Sequence, residues 1–333
     1  MVRVAINGFG RIGRCTFKQF LEDDRFEVVG INDLSELDDL AYLLKYDSVH
    51  GWYPRKVSTD GSTLVVDGNK IPFSQERDPS KLPWGDLGVD VVVEATGAMR
   101  SREDAGGHLE AGAKKVVISA PSDDADATFV IGVNEDTYDP DEHHIVSNAS
   151  CTTNCLAPVA KVLSDSFGVE NLMLSTIHAY TSSQSLMDLP TRKRRRGRAA
   201  ALSIIPTTTG ATKATEKVIP ELSGKMTGMA FRVPVEDGSV SDITATLSRE
   251  VTVDEVHQAL ADAAEGRMKG VLRLTEEELV SRDIIGDPHS SIVDTPSTLL
   301  LNGNVIKLVA WYDNEWGYSA RMVDISAIVA GEG

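Results

Sequence analysis

The stretch SNASCTTNC, residues 147–155, places Cys151 between Ser150 and Thr152, followed by Thr153, Asn154 and a second thiol, Cys155. Three chemistries use such a set. The first thiol could be a nucleophile ringed by hydrogen-bonding groups, the two thiols could share a metal, or the hydroxyls could simply cap a helix. In CTTNCLAPVAKVLSDSF, Leu156, Val159, Ala160 and Leu163 recur at helical spacing, so Cys151 stands at a helix start. There the helix dipole and unpaired N–H groups lower a thiol pKa and could hold an oxyanion forming on a carbonyl bound to sulfur. Cys155 falls inside the helix, where cysteine behaves as a small apolar residue. A metal site needs more ligands at matching spacing. The chain has no C-x-x-C, no H-E-x-x-H and no second cysteine cluster, so no metal is expected.

A reactive thiol wants a base, and seven histidines are available. His143 and His144 precede a strand and read as surface residues. His178 ends the apolar run LMLSTIHAYT, where side chains leave a sheet and reach a cleft. A histidine in that place is as readily structural, and its sequence position does not bring it to Cys151.

The elements that would position this chemistry begin at the N-terminus. MVRVAINGFGRIGRCTFKQFL passes from a β-branched run through glycines into a helical pattern: strand, turn, helix. Gly8, Gly10 and Gly13 form G-x-G-x-x-G: a tight turn, a close approach for a pyrophosphate, and close helix packing. Arg11 and Ile12 sit at the helix start, where phosphates would meet free N–H groups. A second strand, FEVVGIND, ends in Asp33 about twenty residues after Gly13, the place from which a carboxylate bonds ribose hydroxyls and repels a 2′-phosphate. Asp33 could instead cap the next helix. STLVVDGNKIPF reads as a hairpin turning at Asp67-Gly68, and GVDVVVEATG and KKVVIS as buried parallel strands flanking a helix-like stretch, 101 to 112. Thr96, Gly97 and Ser119 would then lie beyond strand ends, although turn chemistry alone explains them too.

The 333 residues favour about two domains, and 41 % hydrophobic with 25 % charged residues describes a folded chain. The N-terminus enters a strand at once and no stretch supplies the roughly 18 apolar residues of a membrane span, so a soluble, cytoplasmic protein is expected. Three cysteines are too few for a disulfide framework. Lys and Arg number 33 against 50 Asp and Glu, a net charge of −17, which makes general nucleic-acid or anionic-membrane binding unlikely. Such acidity suits a salt-rich cytoplasm, or simply an acidic enzyme. The basic run TRKRRRGR, residues 191 to 198, stands out within it and by itself suggests RNA or a solvated loop.

INGFGRIGR, ASCTTNCLAP, IPTTTGATKA, GMAFRVP and WYDNEWGYS together resemble the phosphorylating glyceraldehyde-3-phosphate dehydrogenase family, essentially from residue 2 to 330. ASCTTNCLAP is highly specific; the glycine motif is not. The resemblance implies an N-terminal Rossmann domain (1–150) with a doubly wound, mostly parallel sheet. It also implies an α+β catalytic domain with a mixed sheet (151–314), and a C-terminal helix (315–333) packing back on the first. It implies NAD as cofactor, glyceraldehyde 3-phosphate and inorganic phosphate as substrates, and a homotetramer. By family pattern Cys151 is the nucleophile and His178 its base. Arg11, Ile12, Asp33, Arg77, Ser119 and Asn314 map to cofactor contacts, beside the glycines. Ser150, Thr152, Thr181, Arg196, Thr209, Gly210 and Arg232 map to substrate and phosphate contacts. IPTTTGATKA offers hydroxyls at a helix start and FRVP a cation, though threonines also cap and Arg232 could be a surface pair.

The basic run falls in the family's intersubunit loop, and Leu189-Pro190 match its NAD-preferring form. One departure stands out: Ser182-Ser183 follow HAYT, where the family commonly has Asn-Asp or Gly-Asp. The alternative enzyme is erythrose-4-phosphate dehydrogenase, of the same architecture and thiol. The aspartate-semialdehyde type is more distant, because PTTTG and FRVP point to phosphate.

Overall fold

The β-branched run at the N-terminus forms β1 (Val2–Asn7), and the glycine turn after it feeds α1 (Arg11–Phe20) and then β2 (Phe26–Asn32), parallel to β1. The computed structural model describes residues 1–332, and the chain divides into two compact units. The first holds Met1–Phe129, Glu135–Ala149 and the chain from Ser319 on; the second holds Val130–Asn134 and Ser150–Tyr318.

In the first unit α2 (Leu37–Lys45) leads to a small pair, β3 (Tyr46–Asp47) and β4 (Gly51–Trp52). β5 (Val57–Thr59), β6 (Thr63–Val66) and β7 (Asn69–Ser74) follow, then β8 (Val91–Glu94), α3 (Arg102–Glu110), β9 (Lys115–Ile118), β10 (Ala127–Thr128) and β11 (Ile145–Ser147). The sheet runs β10-β11-β9-β8-β1-β2-β7-β6-β5. It is parallel from β10 through β7 and closes with antiparallel β6 and β5, so the expected doubly wound sheet is present. The β6–β7 hairpin turns at Asp67 and Gly68, both at positive φ (51° and 89°), the combination a two-residue type I′ turn demands. The chain leaves β1 for β2 on one side and returns as β8 on the other. Ligands of such sheets bind at that reversal, beyond the carboxyl ends of the strands.

In the second unit α4 (Cys151–Phe167) precedes β12 (Val169–Ala179), β13 (Ile205–Thr208), α5 (Ala211–Val218), β14 (Met226–Val233) and β15 (Ser239–Leu247). α6 (Val253–Glu265), β16 (Leu272–Thr275), β17 (Ser291–Leu301) and β18 (Val305–Tyr312) complete the mixed sheet β13-β14-β12-β15-β18-β17-β16. Its alternation puts Leu172, Leu174, Ile243, Ala245, Ile306 and Leu308 on the buried face, against which α4 packs. The last helix, α7 (Trp316–Val329), starts in the second unit and continues in the first, where the Tyr138 hydroxyl donates to the Val329 carbonyl at 3.1 Å.

Candidate active site

Cys151 is the first residue of α4, and the helix is capped as the sequence suggests: Ser150 Oγ accepts the Thr153 N–H at 3.2 Å. Ala149, just before, has φ 52°, an uncommon backbone state for a residue with a Cβ. Cys155 is fully buried, its sulfur near the Ser291 hydroxyl and the Ala310 carbonyl, and burial pushes that thiol up to about 12. It is an inert core thiol, as its helical position suggests.

His178, buried near the end of β12, meets the other thiol: its Nε2 lies 3.4 Å from Cys151 Sγ. Parallel pairing of β12 with β14 sets Arg232 directly beside His178. Arg232 Nη1 is 2.9 Å from His178 Nδ1 and 2.9 Å from the Ala179 carbonyl, to which it donates. That carbonyl also lies 2.7 Å from Nδ1; in the tautomer whose ring proton is on Nδ1 and given to it, the Nε2 lone pair faces the thiol. Arg232 is thus no surface pair but half of the base's setting.

Burial, then the charge of Arg232, brings the His178 imidazole down to about 3, with Arg196 adding to the effect. Burial also pushes the Cys151 thiol above its ordinary value, while Arg232 and the bonds from Thr152 pull it back. The sequence leads one to expect a thiol lowered by its helix start; in the resting site desolvation of the sulfur outweighs that pull.

The groups expected to hold anions are distributed unevenly. Arg196 is half-buried, donates from Nε to Thr207 Oγ1 at 3.1 Å, and its charge reaches both His178 and Arg232. Thr181 follows β12 by two residues and shares a 2.8 Å hydrogen bond with Ser183, so the departure at that position supplies a hydroxyl. Thr209 and Gly210 open α5, which packs on α4; Thr209 Oγ1 accepts the Ala211 N–H, the capping alternative, while Gly210 is exposed. The Thr152 hydroxyl is buried and bonded to Tyr312 at 2.9 Å, and both it and the Thr152 N–H bond the Cys151 sulfur. Tyr312, which also bonds Thr176, backs the site and escaped the sequence reading; a tyrosine closing the apolar strand VIKLVAWY is its only signal.

In the first unit a cleft of about 400 Å³ opens at the sheet reversal, lined by Gly8, Gly10, Asp33, Arg77 and Thr96 together with Asn7, Asn32, Glu76 and Met99. Gly8 has φ 94°, and a Cβ on Gly13 would fall 2.0 Å from the Gly8 carbonyl; a Cβ on Gly10 would meet nothing within 4 Å. The first and third glycines therefore shape the turn, and the second leaves open space for a ligand. Asp33 does not cap α2, whose N-cap is Glu36; its carboxylate accepts the Phe9 N–H at 2.7 Å and the Ser35 N–H at 2.9 Å. Ile12 is the second residue of α1, while Arg11, at its start, turns its guanidinium to Asp47 at 2.9 Å, and Ser119 follows β9 without lining the cleft. Asn314 belongs to the second unit, where its side-chain oxygen accepts from Ser239 Oγ at 2.5 Å.

Comparison with known families matches residues 2–102 to "Glyceraldehyde 3-phosphate dehydrogenase, NAD binding domain" and 150–314 to the C-terminal domain of the same family. The chain belongs to the glyceraldehyde-3-phosphate dehydrogenase family. It is 57 % identical over 332 residues to glyceraldehyde-3-phosphate dehydrogenase of Geobacillus stearothermophilus, covering 100 % of this chain and 99 % of that one. Glyceraldehyde-3-phosphate dehydrogenase 1 of Bacillus subtilis is 54 % identical over the same shares. Glyceraldehyde-3-phosphate dehydrogenase 1 of Kluyveromyces lactis is 52 % identical, covering 99 % of this chain and 100 % of that one. Within this family the thiol–imidazole pair and the dinucleotide cleft fall in the C-terminal and NAD binding matches respectively.

Proposed function

We propose that the protein oxidises D-glyceraldehyde 3-phosphate with NAD and inorganic phosphate to 1,3-bisphosphoglycerate, through a thioester on Cys151. The observation that carries this reading is the 3.4 Å approach of Cys151 Sγ to His178 Nε2, which takes the proton in the tautomer that carries its own on Nδ1. As Sγ bonds the aldehyde carbon, the thiol proton passes to Nε2, and the new alkoxide sits at the α4 N-terminus, where the Cys151 and Thr152 N–H groups are placed to stabilise it. NAD, when bound, supplies the acceptor for the hydride of the resulting hemithioacetal. Its fit rests on the glycine turn, open at Gly10, and on Asp33 at the end of β2.

Loss of that hydride from the alkoxide leaves the acyl group on sulfur, with the thiol proton still on His178 Nε2. A phosphate oxygen then attacks that carbonyl carbon, the C–S bond breaks, and the leaving Sγ takes its proton back from Nε2. Arg196 and Arg232, two cations within electrostatic reach of His178, suit a doubly phosphorylated passage of this kind, with Ser150, Thr181, Thr209 and Gly210 as neutral donors. A homotetramer fits the exposed Leu186, Met187, Leu189, Leu202 and Ile204 on the segment between β12 and β13. Among the described residues no helix is long and apolar enough to cross a membrane, and a cytoplasmic site is consistent with that and with three free thiols.

The test follows NADH absorbance with glyceraldehyde 3-phosphate, with and without phosphate, for the wild type and Cys151→Ser. Phosphate-dependent turnover lost in Cys151→Ser is expected. Turnover that ignores phosphate and prefers erythrose 4-phosphate would move the assignment to that enzyme.

A further inference from the structure

Beneath the dinucleotide cleft lies a chain of buried polar side chains that the reaction does not use. Glu94, which ends β8, is 1 % exposed. Its Oε2 accepts from Asn7 Nδ2 at 2.5 Å and from His108 Nε2 at 3.0 Å; its Oε1 accepts the Thr96 N–H at 2.9 Å and the Thr96 hydroxyl. None of these four donors is a fixed cation. His108, on α3, is fully buried and its Nδ1 accepts from Trp84 Nε1 at 3.0 Å. Indole nitrogen is only a donor, so this bond fixes the ring proton on Nε2, aimed at the carboxylate. On the other side Asn7 Oδ1 accepts from Asn32 Nδ2 at 2.7 Å, and Asn32 Oδ1 accepts the Glu76 N–H at 2.9 Å.

The chain of bonds thus crosses the carboxyl ends of β8, β1 and β2 and reaches the segment after β7, four strands adjacent in the sheet. Asn7, Asn32 and Glu76 reach the cleft themselves and precede Gly8, Asp33 and Arg77, while Glu94 binds Thr96. The direction of every bond follows from one end. The Trp84 donor sets the His108 tautomer, and Glu94, accepting only, sets which way the Asn7 amide faces. That in turn sets Asn32.

We propose that Glu94, held by His108 and Trp84, is a positioning residue for the dinucleotide: it fixes the strand ends that present Gly8, Asp33, Arg77 and Thr96. This rests on the reading of the cleft as the NAD site. A buried network of this kind is worth more satisfied than its parts suggest, and one reversed amide leaves donors facing donors.

Glu94→Gln tests it with almost no change of shape. The amide NH₂, placed either way, confronts N–H donors, either Asn7 and His108 or the Thr96 N–H. NAD binding by the full-length purified protein, measured by calorimetry, should weaken on the order of tenfold or more. The KM for glyceraldehyde 3-phosphate and the rate of Cys151 alkylation should change far less. Trp84→Phe, which keeps the bulk and removes only the donor, should weaken NAD in the same direction and serves if Glu94→Gln fails to fold. Ile145→Ala, a cavity in a separate core cluster that holds no member of the network, is the control for lost stability. Unchanged NAD affinity in a folded Glu94→Gln or Trp84→Phe overturns the proposal, as does an equal loss in Ile145→Ala at matched stability. A wild type that binds no NAD overturns the cofactor assignment itself, a separate failure.

Discussion

His178 and Arg232 are register partners on adjacent parallel strands, and the guanidinium Nη1 stands 2.9 Å from the imidazole Nδ1. The pairing gives the base a fixed cation on the face opposite the thiol. That cation lowers the His178 pKa and, from farther off, opposes the burial that raises the Cys151 pKa. One residue therefore serves both partners of the proton transfer, apart from any contact it makes with a phosphate.

The consequence is measurable without substrate. Arg232→Gln removes the charge while keeping a polar side chain, so the Cys151 thiol should rise further and its alkylation by iodoacetamide at neutral pH should slow several-fold. His178 should move up toward the ordinary imidazole range, yet stay depressed because burial is the larger cause. Alkylation as fast as in the wild type across the neutral range would show that Arg232 does not tune the thiol.

The three glycines of the turn divide into shape and space. Gly13→Ala drives a Cβ into the Gly8 carbonyl and should destabilise the fold by a few kcal/mol, as overpacking does. Gly10→Ala has no neighbour to meet and an ordinary φ of −71°, so thermal stability should be close to wild type. Its NAD affinity should nevertheless fall by an order of magnitude or more, because the added methyl occupies the approach of a pyrophosphate. Comparing melting temperature with NAD binding for the two variants separates the roles; equal melting losses would contradict it.

Asp33 has two jobs in the structure. Its carboxylate faces the cleft and also accepts the Phe9 N–H inside the glycine turn. Asp33→Asn keeps an acceptor for that N–H and removes the charge, so NADP should gain relative to NAD. Asp33→Ala loses both, so NAD and NADP binding should weaken together. Kinetics with each cofactor in the two variants decide this, and an Asp33→Ala protein that simply exchanges NAD for NADP would show the turn bond to be dispensable.

Much of the site could be read from local sequence because its causes are local. The cysteine at a helix start, the glycine turn and the Asp67-Gly68 hairpin each depend on residues a few positions apart. What could not be read depends on register between distant strands. Nothing in LMLSTIHAYT or FRVP says that His178 and Arg232 pair, or that the histidine meets Cys151; the β12–β14 alignment decides the first, and the packing of the α4 start against the end of β12 the second. The polar chain under the cofactor cleft was missed for the same reason, although Asn7, Asn32 and Glu94 are each a polar residue closing an apolar strand. Nor does the sequence show that the Thr152 hydroxyl, on the first turn of α4, is shared between the Cys151 sulfur and Tyr312, a residue far along the chain.

A last expectation concerns Asp237, a fully buried carboxyl beside Asp313 at the end of the β14–β15 connection. Burial first, and then the neighbouring Asp313 charge and a hydrogen bond to it, push Asp237 up to about 9. Its proton is therefore bound in the folded state over a range where the unfolded chain has released it. Linkage gives the sign: stability associated with this group is fully present below the ordinary carboxylate range and is lost as pH rises toward about 9. Asp237→Asn carries a permanent N–H donor in place of that proton and has no such dependence. Its melting temperature should gain on the wild type steadily from about pH 5 to pH 8, by about 2–4 °C for each kcal/mol in a domain of this size. A difference between the two proteins that stays constant over that interval would mean that Asp237 is ionised in the native state.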